Sequence, residues 1–195
     1  IGPPGCGKTS FGLFIKNHFD SDESFKVFYT NRDDEYKKLR DNGIGSHRTR
    51  KMLFDYLINF YQSVNDYVGD CIIYMDSVNG VSSIRNKFIE SMKVNKVIYI
   101  NFHISYSDKE SKISFLLNRT MARNGHPTFP TERDKQLVTI ENVMESVNYM
   151  TFDKADESYK IKIEESFSII DYDIIFNYNC RTIFDKYIRP ITNCL

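Results

Sequence analysis

Gly2-Pro3-Pro4-Gly5-Cys6-Gly7-Lys8-Thr9, followed by Ser10 and an apolar-periodic stretch to Phe19, decides the fold. The segment satisfies G-x-x-x-x-G-K-[ST], the phosphate-binding loop pattern, without a mismatch. It runs directly into a helix marked by Phe11, Phe14, Ile15 and Phe19 at helical spacing. Each part has a chemical reason. The glycines let successive backbone N–H groups converge on phosphate oxygens, Lys8 carries positive charge to the β and γ phosphates, and the Thr9 hydroxyl ligates Mg²⁺. Gly2 to Ser10 are therefore predicted to bind a nucleoside triphosphate, where a bare glycine-rich turn would lack both the lysine and the hydroxyl. Such a loop normally follows a buried strand, so a first strand is expected upstream of Ile1, and fused domains outside the fragment are compatible with the reading.

Working outward, apolar strands alternate with helical periodicities. Phe25 to Thr30 (FKVFYT), Cys71 to Asp76 (CIIYMD), Lys96 to His103 (KVIYINFH) and Tyr172 to Tyr178 (YDIIFNY) read as strands, with Tyr159 to Ile163 alternating. Helical spacing runs through Thr9–Phe19, His47–Val64, Ser82–Met92, Asp108–Asn124 and Thr131–Val147, the last two separated by Gly125-His126-Pro127 and Pro130. This alternation predicts one α/β domain over residues 1–195, a mainly parallel sheet with helices on both faces. Ligands then bind at the carboxyl ends of the strands.

Composition agrees with a globular chain, 41% hydrophobic and 27% charged, which excludes a disordered tail or a fibre. No apolar run approaches the ~18 residues needed to cross a bilayer, so no membrane partner is expected. Cys6, Cys71, Cys180 and Cys194 lack the short pairwise spacing of a zinc site, which predicts free thiols in a reducing compartment, cytoplasmic or nuclear. Lys+Arg and Asp+Glu both total 26, so bulk charge does not signal nucleic acid. The local balance differs: Arg32 to Lys51 holds seven basic against four acidic residues, and Asp153 to Asp173 three against seven.

Two further segments carry chemistry. Asp76 closes a strand 67 residues after Thr9, where a Mg²⁺-associated carboxylate belongs in such folds; the alternative is a strand-end carboxylate capping the next helix. Asn31-Arg32-Asp33-Asp34 ends the preceding strand and reads as a rim turn, either solvated or offering a carboxylate to accept a proton from an attacking hydroxyl.

With these segments in order, the chain resembles the polynucleotide 5′-hydroxyl kinases, the end-healing enzymes that transfer the γ phosphate of ATP to a nucleic-acid 5′-OH. After the loop, Asn31-Arg32-Asp33 resembles the family's N-R-D, whose aspartate is the general base. Asp76-Ser77-Val78-Asn79 with Arg85 is similar to D-x-T-N…R, and Leu117-Asn118-Arg119 to Arg123, with His126-Pro127…Pro130, looks like the arginine-bearing lid, here about residues 108–131. Glu165-Ser166-Phe167-Ser168-Ile169-Ile170 echoes the late E-G-F-x-x-I run. The resemblance implies a P-loop kinase with a helical lid, ATP and Mg²⁺ as cofactors, and a DNA or RNA 5′-OH end as partner. It implies catalytic roles for Lys8, Asp33, Arg119 and Arg123, metal ligation by Thr9 and Asp76, and substrate binding by Arg32, Asn79, Arg85 and Arg40.

The chain also departs from the pattern. Val78 replaces the usual threonine, Ser166 the glycine, and Asp153 to Ile163 reads as an insertion. Where phage members place a phosphate-gripping arginine, this chain has Tyr36-Lys37-Lys38-Leu39-Arg40. Arg32 is read either as a phosphate grip or as a partner of Asp34, and Tyr29 or Tyr36 either as a base-stacking platform or as a core or surface ring. His47-Arg48-Thr49-Arg50-Lys51 is either a solvated helix start or part of an acceptor channel. The alternative functions are a related kinase acting on seryl-tRNA or a nucleoside, and a non-catalytic ATP-binding module of tRNA modification.

Overall fold

The computed structural model describes residues 2–19, 25–78, 81–94, 97–104, 108–122, 129–148 and 157–163, with Arg181 and Asp185. In chain order the elements are α1 (Lys8–Phe19), β1 (Phe25–Asn31), α2 (Arg32–Asp41), α3 (Ser46–Val64), β2 (Asp70–Asp76), α4 (Ser82–Glu90), β3 (Ile98–Ile104), α5 (Lys109–Met121), α6 (Arg133–Asn148) and β4 (Glu157–Ile163). The fold is α/β. Both strand pairings among the described residues, β1 with β2 and β3 with β4, are parallel. That follows from helices intervening between paired strands, since a parallel pair needs a long crossover.

β2 shows how the layers form. Ile72 and Tyr74 pack on a core that joins the loop, α1, β3, α5 and α6 through Cys6, Phe11, Ile15, Phe102, Leu116 and Ile140. The alternate residues Ile73 and Met75 pack on a second core of Leu53, Leu57 and Tyr61 from α3 and Phe88 from α4. A strand covered on both faces has no solvent side, so it reads as a continuous apolar run. The register runs from Phe25 opposite Asp70 to Asn31 opposite Asp76, so both strands end at one level and present Asn31 and Asp76 side by side.

The loop is wedged between the two pairs. Gly2 abuts Phe102 of β3, and the Tyr74 hydroxyl of β2 donates to the Lys8 carbonyl at 2.9 Å. Helix α1 can settle this low because residue 12 is glycine: a Cβ there would lie 2.5 Å from the Tyr74 ring and 2.7 Å from that of Tyr29.

One expectation is corrected. Asn31-Arg32-Asp33-Asp34 is not a rim turn but the start of α2: the Asn31 side chain accepts from the N–H groups of Asp33 (2.9 Å) and Asp34 (3.3 Å), and the first turn is acidic, as the helix dipole favours. The alternating stretch Tyr159 to Ile163 is strand as expected, within β4, which pairs with β3 along seven residues. The expected strand Tyr172 to Tyr178, the Glu165–Ile170 run, the Gly125-His126-Pro127 breaker, Cys180 and Cys194 lie outside the described residues. Among the described residues neither Cys6 nor Cys71 is in a disulfide, and no helix is long and apolar enough to cross a membrane.

Candidate active site

At the carboxyl ends of β1 and β2, beside the N-terminus of α1, lies a cleft of about 460 Å³. Its floor is Pro4, Gly5, Gly7, Lys8 and Thr9. One wall is Asp33 with Asp76, Ser77 and Val78; the other is Thr120 and Met121 of α5, Phe129 to Thr131, and the α6 residues Gln136, Thr139 and Val143. Three of the segments singled out in the sequence therefore meet in one space. Gly2, Pro3 and Cys6 are buried behind the loop and Ser10 is exposed on α1, and none of these four lines the cleft. Gly5 holds φ +81° and faces α5, where a Cβ would meet the Leu116 carbonyl and the Thr120 methyl, both at 3.2 Å. Only glycine takes that conformation in that space without strain. Lys8 bridges the loop, its Nζ donating to the Pro3 carbonyl at 2.9 Å.

Asp76 is 5% exposed, and among the described residues its hydrogen bonds fall on Oδ2, from the Tyr29 hydroxyl (2.8 Å) and from Asn31 Nδ2 (3.1 Å). Neither engages Oδ1. It does not cap the next helix, since the N-cap of α4 is Val81, five residues on. Burial, followed by the charge and hydrogen bond of Asp76, raises the Tyr29 phenol well above its ordinary range, so Tyr29 stays a donor. Tyr29 also stacks on Tyr74 at 5.8 Å, which commits it to the protein and removes it as a base-stacking platform.

Thr9 and Asp76 together suit a Mg²⁺ ion shared with a ligand. Magnesium is commonly held by one or two protein oxygens plus phosphate and water. Among the described residues no group of three His, Cys, Asp or Glu forms a protein-only cage. A hydroxyl, a carboxylate with one oxygen outside its hydrogen bonds and a glycine loop are the donor set of the shared kind of site.

The remaining sequence candidates fall elsewhere. Arg119 is in the last turn of α5, where its Nε donates to the Gly5 carbonyl at 2.9 Å and its guanidinium lies 5.8 Å from the Phe115 ring centre. It supports the loop and is not among the residues lining the cleft. Arg85 is 3% exposed on the face of α4 that buries Phe88 three residues on, and it is not among the residues lining the cleft. Arg40 donates to the Ile44 carbonyl at 2.7 Å, closing the end of α2. Arg32 borders a separate small notch with Tyr61 and Asp76. The basic residues His47, Arg48, Arg50 and Lys51 are exposed on the first turns of α3, around a buried Thr49. Arg123 and Asn79 lie outside the described residues.

No family model matches the chain, and no curated protein does. Among solved structures it is similar to one described as deoxyadenosine kinase from M. mycoides with the products dCMP and a flexible dCDP bound, at 12% identity and a TM-score of 0.45, over 91% of this chain and 95% of that one.

Sequence reasoning gave no role to Asn31, which is the hinge pin of the carboxylate wall. Its Oδ1 fixes the start of α2, and with it Asp33, while its Nδ2 holds Asp76. The signal was there: an asparagine ahead of Arg-Asp-Asp-Glu is an N-cap followed by an acidic turn. Gln136, Phe129 and Thr139 had no comparable signal, being ordinary residues brought to the cleft by packing.

Proposed function

We propose that this protein is an ATP- and Mg²⁺-dependent kinase that transfers the γ phosphate to the 5′-hydroxyl end of a nucleic acid. The observation that carries the proposal is the convergence of the glycine loop, Asp76 and Asp33 on one cleft. ATP supplies the phosphoryl group there, and Mg²⁺ neutralises charge on it. The chain's own residues do the rest. The amides of Gly5 to Thr9 and the Lys8 ammonium hold the phosphates, and Thr9 with Asp76 holds the metal. Asp33 accepts the proton of the acceptor hydroxyl, orienting it for in-line attack. Its position is set by the Asn31 cap, so the base and the metal ligand are fixed by one amide. The exposed cations at the start of α3 suit a polyanionic acceptor better than a neutral nucleoside.

The test is γ-labelled ATP incubated with 5′-OH DNA, 5′-OH RNA, tRNA and free nucleosides. Label on the oligonucleotide ends supports the assignment. Label on nucleosides or tRNA alone moves the protein to a related kinase, and no acceptor-dependent ATP use makes it a binding module.

A further inference from the structure

The wall across the loop from Asp33 and Asp76 has a polarity of its own. Met121, Phe129, Pro130 and Val143 make it apolar, and its polar groups offer mainly acceptors. The Thr139 hydroxyl donates to the Lys135 carbonyl at 2.7 Å, which leaves only its lone pairs for the cleft. Gln136 is 4% exposed, and its Nε2 donates to the Pro130 carbonyl at 2.7 Å, which settles which end of the amide is oxygen. That oxygen, Oε1, is buried with no hydrogen-bond partner among the described residues. A native interior seldom leaves an acceptor in this state unless something else fills it.

The loop dictates what arrives there. With phosphates on Lys8, Thr9 and Asp76, the part of the same cleft left over for a nucleoside includes the α5–α6 side, where Gly5 rests against α5. Resting on the reading that the bound nucleotide is the phosphoryl donor, we infer that the α5–α6 wall is its base subsite, with Gln136 Oε1 and Thr139 Oγ1 selecting the exocyclic amino group of adenine. An acceptor-only edge pairs with N–H donors and repels a ring that offers only acceptors. Because Oε1 is covered, the entering ring must part the side chains around it. Selection is thereby tied to full seating of the base.

The experiment is equilibrium binding of ATP, of purine riboside 5′-triphosphate, which keeps the ring and loses the 6-amino group, and of inorganic tripolyphosphate. The protein should bind ATP about 10- to 100-fold more tightly than the deaminated analogue, the loss expected for one buried hydrogen bond. Gln136→Met, which keeps volume and removes the acceptor, should collapse that ratio toward unity. Equal binding of the two nucleotides by the parent protein, with tripolyphosphate also bound, overturns the base assignment and leaves the loop reading standing. Binding of none of the three overturns both.

Discussion

At the carboxyl ends of β1 and β2, Tyr29, Asn31 and Asp76 spend their polar groups on one another, whereas across the loop Gly5 rests on Leu116 and Thr120 and is tied down by Arg119. The first wall is a hydrogen-bonded network that fixes two carboxylates; the second is a packed surface that fixes a loop and leaves an apolar slot. Their difference suggests a division of labour, with chemistry on the network side and nucleotide seating on the packed side. Substitutions on the two sides should therefore fail differently.

Lys8 belongs to the floor between them and should show the largest effect. Lys8→Ala removes positive charge from the phosphates and one contact to the Pro3 carbonyl, so transfer should fall about 10³-fold with the fold retained. Circular dichroism with single-turnover transfer checks both halves. Undiminished turnover in a folded variant would remove the loop from the mechanism.

On the network wall, Asn31→Asp isolates the bridge. The new carboxylate still caps α2 but no longer donates to Asp76, and it sets a like charge beside it. Loss of a hydrogen bond to a charged group corresponds to roughly 10- to 100-fold, expected here in kcat, together with a lower thermal stability from the like charge beside a buried carboxylate. If Asn31→Asp is as active as the parent while Asn31→Ala is merely less stable, Asn31 is a cap and nothing more.

On the packed wall, Arg119→Ala should weaken ATP binding about 5- to 10-fold through a loosened Gly5, leaving kcat at saturation nearly intact. A large fall in kcat at saturating ATP would instead restore Arg119 to the lid clamp that the family resemblance implies, and the two walls would no longer divide the work.

How much of this was legible beforehand follows the same divide. Strand ends at the cleft announce themselves, because a covered strand is largely an apolar run and Asn31 and Asp76 interrupt it at the rim. The start of α2 was misread since Asn-Arg-Asp-Asp suits turns and caps equally; only Glu35 and the amphipathic continuation to Leu39 decide. The burial of Arg85 was hard to read for a different reason, because an arginine is rarely buried and only its three-residue spacing from Phe88 shows that it shares an interior face. Gln136 was illegible, since its position depends on how α5 and α6 pack around the loop.

The smallest effect is on stability at high pH. Burial pushes the Tyr61 phenol up to about 12, against an ordinary 10.0, and Tyr29 is raised further by burial and by Asp76. Both folded-state values lie above the unfolded one, so this stability is fully present below pH 10 and is lost as pH rises through the folded values. The slope is up to about 1.4 kcal/mol per pH unit for each group. Denaturant titrations at pH 8 and 11 should show the loss, and Tyr61→Phe should shrink it; a pH-independent midpoint would contradict the burial of these phenols.

The division of labour is tested most directly by Asp33→Asn, measured for both 5′-end phosphorylation of an oligonucleotide and ATP binding without acceptor. General-base assistance is worth about 10²–10⁴-fold, so turnover should fall by roughly that factor while ATP affinity stays near that of the parent, and Asp34→Asn should lose far less. If Asp33→Asn loses ATP binding instead of turnover, or if Asp34→Asn is the crippled variant, the carboxylate wall does not activate the acceptor and the central claim is wrong.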